Sequence, residues 1–333
     1  MDLKLINALK QQNRERAPVW IMRQAGRYLP EYQQLRKKHT LKHLFFTPEL
    51  AAEVTLMPVD LLGVDAAILF SDIMVIALAL GFKLEFSEGP VVQPLLTPSI
   101  LDGLSYDLEK LEPVFQTIRL LMPELKVPLL GFCGAPFTVA TYLIDKNSGE
   151  KFSQTKKWLY SHPQSFYKLL QKIEKVSIDY LKKQVEAGVS AIQLFDSWAN
   201  VLSKEDFRLF CLPFYKRIIE AVPVPVILFM RGAGHHLDDL ASLPCALSLD
   251  WKTPMHEARL KTKQTLQGNL DPDLFFAPLS VIQEKTSELL QTMQGDPGFI
   301  VNLGHGVKPN TPVDAIRCFI ETVQMHRSES LSI

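Results

Sequence analysis

The chain has 333 residues, room for one large domain or two ordinary ones, and its 47% apolar share supplies a sizeable core and excludes disorder. Lysine plus arginine equals aspartate plus glutamate at 36 each, so no net field attracts nucleic acid or an anionic membrane, and any anion recognition has to come from a local cluster. Four scattered cysteines (Cys133, Cys211, Cys245, Cys318) form no Cys-x-x-Cys pair, which suggests neither a zinc module nor a redox dithiol and makes a reducing cytosol the expected location.

Residues 1–17 read as a lead-in with a short amphipathic helix (Leu3, Ile6, Leu9) rather than a secretory segment. Next comes the most informative stretch, Val19–Tyr32. An apolar run, Val19–Met22, stops at Arg23; Arg27 follows across Gly26, and Pro30 opens a predicted helix bearing Tyr32 and Arg36. A strand that points two guanidiniums out of its C-terminal end suits carboxylate or phosphate groups. Two solvated loop arginines are the bland alternative, and the buried-looking strand and proline-capped helix on either side weigh against it.

Seven further β-rich runs follow: Ala66–Phe70, Val127–Phe132, Ala191–Phe195, Val224–Met230, Ala246–Asp250, Leu266–Leu270 and Phe299–Leu303. Most are continuously apolar, as strands buried on both faces of a parallel sheet must be. Helical patterns lie between them, clearest at Ser105–Leu121, Ser165–Ala187, Lys204–Ala221, Pro278–Met293 and Thr311–Met325. Eight such strands alternating with helices predict a single distorted (β/α)8 TIM barrel spanning residues 1–333. The links after Asp250 and Leu270 are its least regular parts. Residues 82–98 pivot on Glu88-Gly89-Pro90 and predict an inserted hairpin. The apolar run Ile73–Phe82 is too short to span a bilayer, which needs about 20 residues.

Barrel active sites lie at the C-terminal strand ends. Those ends carry Arg23 and Arg27, Ser71-Asp72, Cys133-Gly134, Asp196-Ser197-Trp198, Arg231-Gly232, Asp250-Trp251, Asn269 and His305. Asp72 either caps a helix or faces the pocket to stabilise positive charge. Tyr142 and Ser197 taken alone are ordinary packing and turn residues. His305 lies between Gly304 and Gly306, which permit positive φ or close approach to a ligand. Cys133 has no partner base at a suggestive spacing and reads as structural. No Gly-x-Gly-x-x-Gly, phosphate-binding loop or His-Glu-x-x-His occurs.

The run Met22–Glu31 (MRQAGRYLPE) resembles the signature of the uroporphyrinogen decarboxylases. So do Phe70-Ser71-Asp72-Ile73, Gly134–Thr138 leading to Tyr142, Leu194–Trp198, Leu266–Pro272 and Asn302–Gly306, in family order. The resemblance implies a distorted barrel, a homodimer with facing clefts, a cytoplasmic location, and no metal or organic cofactor. It implies removal of carbon dioxide from the four acetate arms of uroporphyrinogen III to give coproporphyrinogen III, on the route to haem. Substrate binding is then expected at Arg23, Gln24, Ala25, Gly26, Arg27, Asp72, Tyr142, Ser197 and His305, catalysis at Asp72, Arg23 and Arg27, and accessory binding at Arg36. Arg231 departs from the resemblance, which implies lysine there. Two rival readings are a cobalamin-linked methyltransferase, which would need a His and two Cys for zinc, and a non-catalytic tetrapyrrole carrier.

Overall fold

The structure is a computed structural model and describes residues 3–87, 89–145 and 152–326. Nine strands occur among them: β1 (Ala67–Ile68), β2 (Lys83–Phe86), β3 (Pro90–Gln93), β4 (Leu129–Gly134), β5 (Ala191–Asp196), β6 (Val226–Met230), β7 (Ala246–Ser248), β8 (Leu266–Leu270) and β9 (Phe299–Leu303). Seven form one curled, all-parallel sheet in the order β1-β4-β5-β6-β7-β8-β9. β2 and β3 pair antiparallel inside the expected 82–98 insertion, whose pivot residue Glu88 lies outside the described residues. The strands of the main sheet are mostly apolar and buried, β4 and β9 buried at every residue. Helices fill the crossovers and cover the outer face. No helix of the structure is long and apolar enough to cross a membrane.

The expected helices form with changes: Ser105–Leu121 is helical only over Glu112–Leu121, after a 3-10 turn at Leu108–Leu111. Lys204–Ala221 breaks at Cys211 into Lys204–Phe210 and Leu212–Ala221, the second carrying Pro213 in its first turn. A proline is tolerated there but would remove a hydrogen bond from a continuous helix. The gap after Asp250 contains the short helix Met255–Lys261, and the gap after Leu270 contains a 3-10 turn before helix Leu279–Thr292.

The main correction concerns the first expected strand. Val19–Met22 is fully buried but forms no strand, only an isolated parallel bridge between Val19 and Val301 of β9. The cause is where its N–H groups go. Val19 donates to Asp65 Oδ2 (2.8 Å), Ile21 to Gln24 Oε1 (3.0 Å) and Met22 to Asn302 Oδ1 (2.9 Å). Only Trp20 donates to a strand carbonyl, that of Val301 (3.3 Å). Side chains have replaced the ladder, so the segment bends where a strand would run straight.

Other bonds fix this segment between the two edges of the sheet. Asp65 N–H donates back to the Val19 carbonyl (2.8 Å), and the Val301 N–H donates to Pro18 (2.9 Å). Arg16 grips both carboxylate oxygens of Asp65 at 2.7 and 2.8 Å. Inside the sheet's curl, Trp20 Nε1 donates to Gln267 Oε1 (2.8 Å), while Gln267 Nε2 reaches Ser248 Oγ (2.9 Å) and Gln193 Oε1 (3.2 Å). A buried polar chain therefore links the segment to β8, β7 and β5.

Asp65 accepts three of these bonds while nearly inaccessible. Asp65→Ala removes the acceptor of the Val19 N–H and the carboxylate that Arg16 grips, a loss of about 3 kcal/mol for a broken buried pair. Urea unfolding should show a lower midpoint at an unchanged slope; a midpoint equal to that of the parent would refute this anchoring role.

Candidate active site at the strand ends

At Arg23 the chain leaves Met22 with φ +64°, a left-handed conformation uncommon for a residue with a side chain. Tight turns follow, with Gln24 N–H to the Ile21 carbonyl (2.9 Å) and Leu29 N–H to the Gly26 carbonyl (3.0 Å). Gln24 is completely buried, its amide oxygen on Ile21 N–H and its amide nitrogen on the Ala66 carbonyl. Its side chain therefore holds the turn, and its backbone is committed too, the N–H to the Ile21 carbonyl and the carbonyl to the Tyr28 hydroxyl (2.8 Å). Ala25 and Gly26 are partly exposed, and Arg23 and Arg27 are exposed. Helix Pro30–Lys38 then packs Tyr32 edge-on against Phe70 at 5.8 Å between ring centroids. Arg36, on that helix, donates to the His39 carbonyl (2.6 Å); burial raises the Tyr32 phenol above its usual value, against smaller opposite effects of the Arg36 and Arg27 charges.

Beyond β1, Asp72 Oδ1 accepts the Met74 N–H (2.8 Å), and no hydrogen bond within the described residues reaches Oδ2. One oxygen thus closes a turn on Met74, rather than capping the helix Ile76–Ala79, and the other is left without a hydrogen-bond partner among the described residues. Withdrawal from water lifts its carboxyl to about 6, against smaller opposite effects of the Met74 N–H and the Arg23 charge. The neighbouring Ser71 hydroxyl is buried beside the Tyr180 phenol.

Past β9, His305 lies in a loop that returns to the first segment through Val307 N–H and the Met22 carbonyl (2.9 Å). Neither Gly304 nor Gly306 has positive φ. Their smallness serves close approach, but to protein: a Cβ on Gly304 would stand 2.4 Å from the Trp251 backbone nitrogen, and one on Gly306 2.3 Å from Arg23 Cδ. Arg23 thus lies across the loop that bears His305. Burial, followed by the charges of Arg23, Arg231 and Lys308, pushes the imidazole down to about 4. It is neutral near pH 7. Its Nδ1 accepts the Gly306 N–H (2.8 Å), which assigns the proton to Nε2 and makes that nitrogen a donor.

Between these two ends lie Tyr142, partly buried on helix Pro136–Ile144, and Ser197 after β5. Neither hydroxyl has a protein partner among the described residues. Asp196 takes no part in the cleft. Fully buried, it accepts from Thr138 Oγ1 (2.7 Å), Tyr215 OH (2.6 Å) and the N–H groups of Trp198 and Ala199. It shapes the turn that presents Ser197. Cys133 is buried, and loss of solvent pushes its thiol up to about 12, as an unreactive packing residue requires.

Sequence reasoning missed Lys308, Asp271 and Asp273, which with Arg23, Arg231 and His305 line a cavity of about 260 Å³. The signal was weak: Lys308 stands three residues past His305 in a loop without periodicity. A larger cavity of about 680 Å³ lies beside helix Leu41–Phe46, lined by Lys42, His43, Phe46, Leu78, Phe82 and Lys110. No end of the main sheet opens into it, so size alone does not mark the active site. Among the described residues no three His, Cys, Asp or Glu side chains gather as a metal-ligand set.

Two arginines, a carboxyl balanced near neutrality and a neutral imidazole thus converge at one end of the sheet. The family model of uroporphyrinogen decarboxylase (URO-D) matches residues 2–326. A protein named uroporphyrinogen decarboxylase from Protochlamydia amoebophila is 47% identical, the match covering 97% of this chain and 92% of that one. The chain belongs to the uroporphyrinogen decarboxylase family. A member from Thermodesulfovibrio yellowstonii is 44% identical over 92% of this chain and 93% of its own length. Among solved structures, a methyltransferase from Methanosarcina mazei superimposes with a TM-score of 0.85 at 23% identity, covering 97% of this chain and 98% of its own. That likeness shows a shared fold and says nothing of activity.

Two tests follow from the contact of Arg23 with the His305 loop. Replacing Arg23 by Gln removes a charge that holds both His305 and Asp72 down, so both midpoints should rise; His305 stays below 6.5 because burial is the larger cause. An NMR titration of His305 that left its midpoint unmoved would break the proposed proximity. Gly304→Ala meets backbone and should lower stability by about 2 kcal/mol. Gly306→Ala meets only a movable side chain, so it should displace Arg23 and raise KM with a near-parental Tm. Equal losses of Tm in the two variants would contradict this assignment.

Proposed function

We propose that this family member is a carboxy-lyase that converts the four acetate arms of uroporphyrinogen III to methyl groups, giving coproporphyrinogen III in haem biosynthesis. The observation that carries this reading is Arg23, within electrostatic reach of both Asp72 and His305. A polyanion can be held by cations at the rim while its ring meets a carboxylate.

An acetate on an electron-rich pyrrole cannot lose carbon dioxide directly, because the electrons of the breaking bond have no acceptor. Protonation of the adjacent ring carbon makes a cationic ring. The C–COO⁻ bond then breaks, carbon dioxide leaves, and its electron pair forms an exocyclic methylene. A second proton at that methylene gives the methyl group, and loss of the ring proton restores the pyrrole. Each arm consumes one proton overall. The protonated ring is itself the electron sink, so the chemistry needs neither a metal nor an organic cofactor.

In this scheme Asp72 accepts the pyrrole N–H groups through its free oxygen and, when ionised, stabilises the ring cation. Arg23 and Arg27 position carboxylate arms, with Arg36 as an accessory cation, and backbone at Gln24, Ala25 and Gly26 borders them. Tyr142, Ser197 and the Nε2–H of His305 orient the remaining arms. The same reading takes the fold to be a single-domain (β/α)8 barrel over residues 1–333. Val19–Met22 is its reduced first stave, supported by the bonds to β9 and to Asp65. A cytoplasmic homodimer with facing clefts is the assembly implied by the resemblance.

Anaerobic incubation with uroporphyrinogen, resolving the hepta- to tetracarboxylate products, tests the reaction; no decarboxylated product from folded protein would reject it. Asp72→Asn should lower kcat by two to three decades, about 3–4 kcal/mol of transition-state stabilisation. The folded carboxyl keeps its proton up to about 6, against 3.8 for an unperturbed one. Its ionisation therefore costs stability progressively as pH rises from 3.8 to about 6, while the ionised form that catalysis needs is lost as pH falls through about 6. The acid limb of kcat/KM should have its midpoint there and vanish in Asp72→Asn.

A further inference from the structure

We propose that Arg231 is a substrate-binding residue which, together with Arg23 and His305, grips a carboxylate arm that the reaction leaves in place, a propionate. The proposal rests on the decarboxylase reading above and names which arm this part of the site holds.

The backbone around Arg231 is fixed from both sides. Its own N–H donates to the Asp196 carbonyl at the end of β5 (3.1 Å), and the next N–H, on Gly232, donates to Asp250 Oδ2 beyond β7 (2.7 Å). The guanidinium carbon lies 5.9 Å from the centroid of the Trp198 ring, within cation–π range. Trp198 is in turn backed by Phe152 at 5.1 Å between centroids. The side chain is thus directed by packing, as a clamp needs to be.

Its charge is unmet. Among the described residues no carboxylate lies within salt-bridge distance of Arg231 or Arg23, whereas Lys308, in the same cavity wall, is paired with Asp273. Asp271 also borders the cavity, with one oxygen committed to the Asp273 N–H (2.9 Å). Three cations face two carboxylates there, and the neutral His305 adds a donor without adding charge. A guanidinium fork offers two parallel N–H bonds to a carboxylate, which a lysine at this position would not.

Which carboxylate it holds follows from the chemistry. An ion pair stabilises the negative carboxylate of the ground state more than the departing neutral carbon dioxide, so clamping the reacting acetate would slow its loss. The reacting arm belongs beside Asp72, which does not line this cavity. Acetates disappear one after another, while the four propionates persist in every intermediate. A clamp on a propionate keeps its hold through all four steps.

The test compares Arg231→Met and Arg231→Lys with the parent on uroporphyrinogen and on the pentacarboxylate porphyrinogen, which retains one acetate. Loss of a charge-assisted bidentate contact should raise KM about 10- to 100-fold for both substrates by a similar factor, with kcat changed far less. Arg231→Lys should fall between, and if the methionine variant fails to fold, the lysine variant carries the comparison. An unchanged KM in folded protein overturns the proposal while leaving the decarboxylase reading intact. A KM effect confined to uroporphyrinogen also overturns it, because the arm held would then be an acetate. An inactive parent would instead remove the reading on which the proposal rests.

Discussion

The site depends on where four backbone N–H groups find their acceptors. A regular strand at Val19–Met22 would donate to its neighbours and continue in line with them, pointing the next side chains alternately inward and outward. Instead Asp65, Gln24 and Asn302 each accept one of these donors. The segment can therefore end sharply and enter the left-handed turn at Arg23, a conformation that costs about 1–2 kcal/mol for a residue with a Cβ. The bonds that offset this cost are the ones that aim the guanidinium. Arg16 and Asp65 below the turn, and the Met22–Val307 bond above it, tie that aim to both the β1 and the β9 sides of the sheet.

The same arrangement explains why polar groups occupy the inside of the curl. Trp20, Gln267, Ser248 and Gln193 form a chain of side-chain hydrogen bonds where aliphatic packing is the usual content. A segment with a single isolated bridge to a strand has little backbone pairing to hold its register. An apolar contact is non-directional and would let it slide, whereas the Trp20–Gln267 bond at 2.8 Å has one good geometry. The polar chain thus supplies the register that the missing ladder does not.

Much of this was legible in the sequence, and the exceptions share a cause. Strands β4 to β9 were visible because burial on both faces leaves a mostly apolar run, broken only by single polar residues or, in β8, by Gln267-Gly268-Asn269. Residues 19–22 give the same apolar signal, since burial alone produces it, yet their hydrogen bonds go to side chains as far away as residue 302. Periodicity reports burial and not the partner of a backbone donor. Likewise, Gly304 and Gly306 correctly marked a crowded place, but a glycine does not reveal what approaches it; here it was the Trp251 backbone and the Arg23 side chain. Asp196 looked like a site residue because it ends a strand beside Ser197, and only its four donors showed it to be a support. Gln24, inside the most informative motif, also turned out to brace the turn it stands in.

Charge opposition gives these placements their chemical meaning. A site made only of arginines would bind a polycarboxylate well and would also resist the cationic ring on which loss of carbon dioxide depends. Asp72 alone would favour that cation but repel the arms. The proposed mechanism resolves the conflict by separating the two functions along the cleft, with cations at the rim and one carboxylate at the ring. Arg23 couples them, because its field lowers the Asp72 carboxyl from the still higher value that burial would set. It also helps keep His305 neutral. An imidazolium there would bind an arm more tightly, but it would add a further positive charge to a pocket that must admit a cationic intermediate. A neutral donor orients the arm without that penalty, which is the physical reason for a histidine beside two arginines where a third cation would otherwise stand.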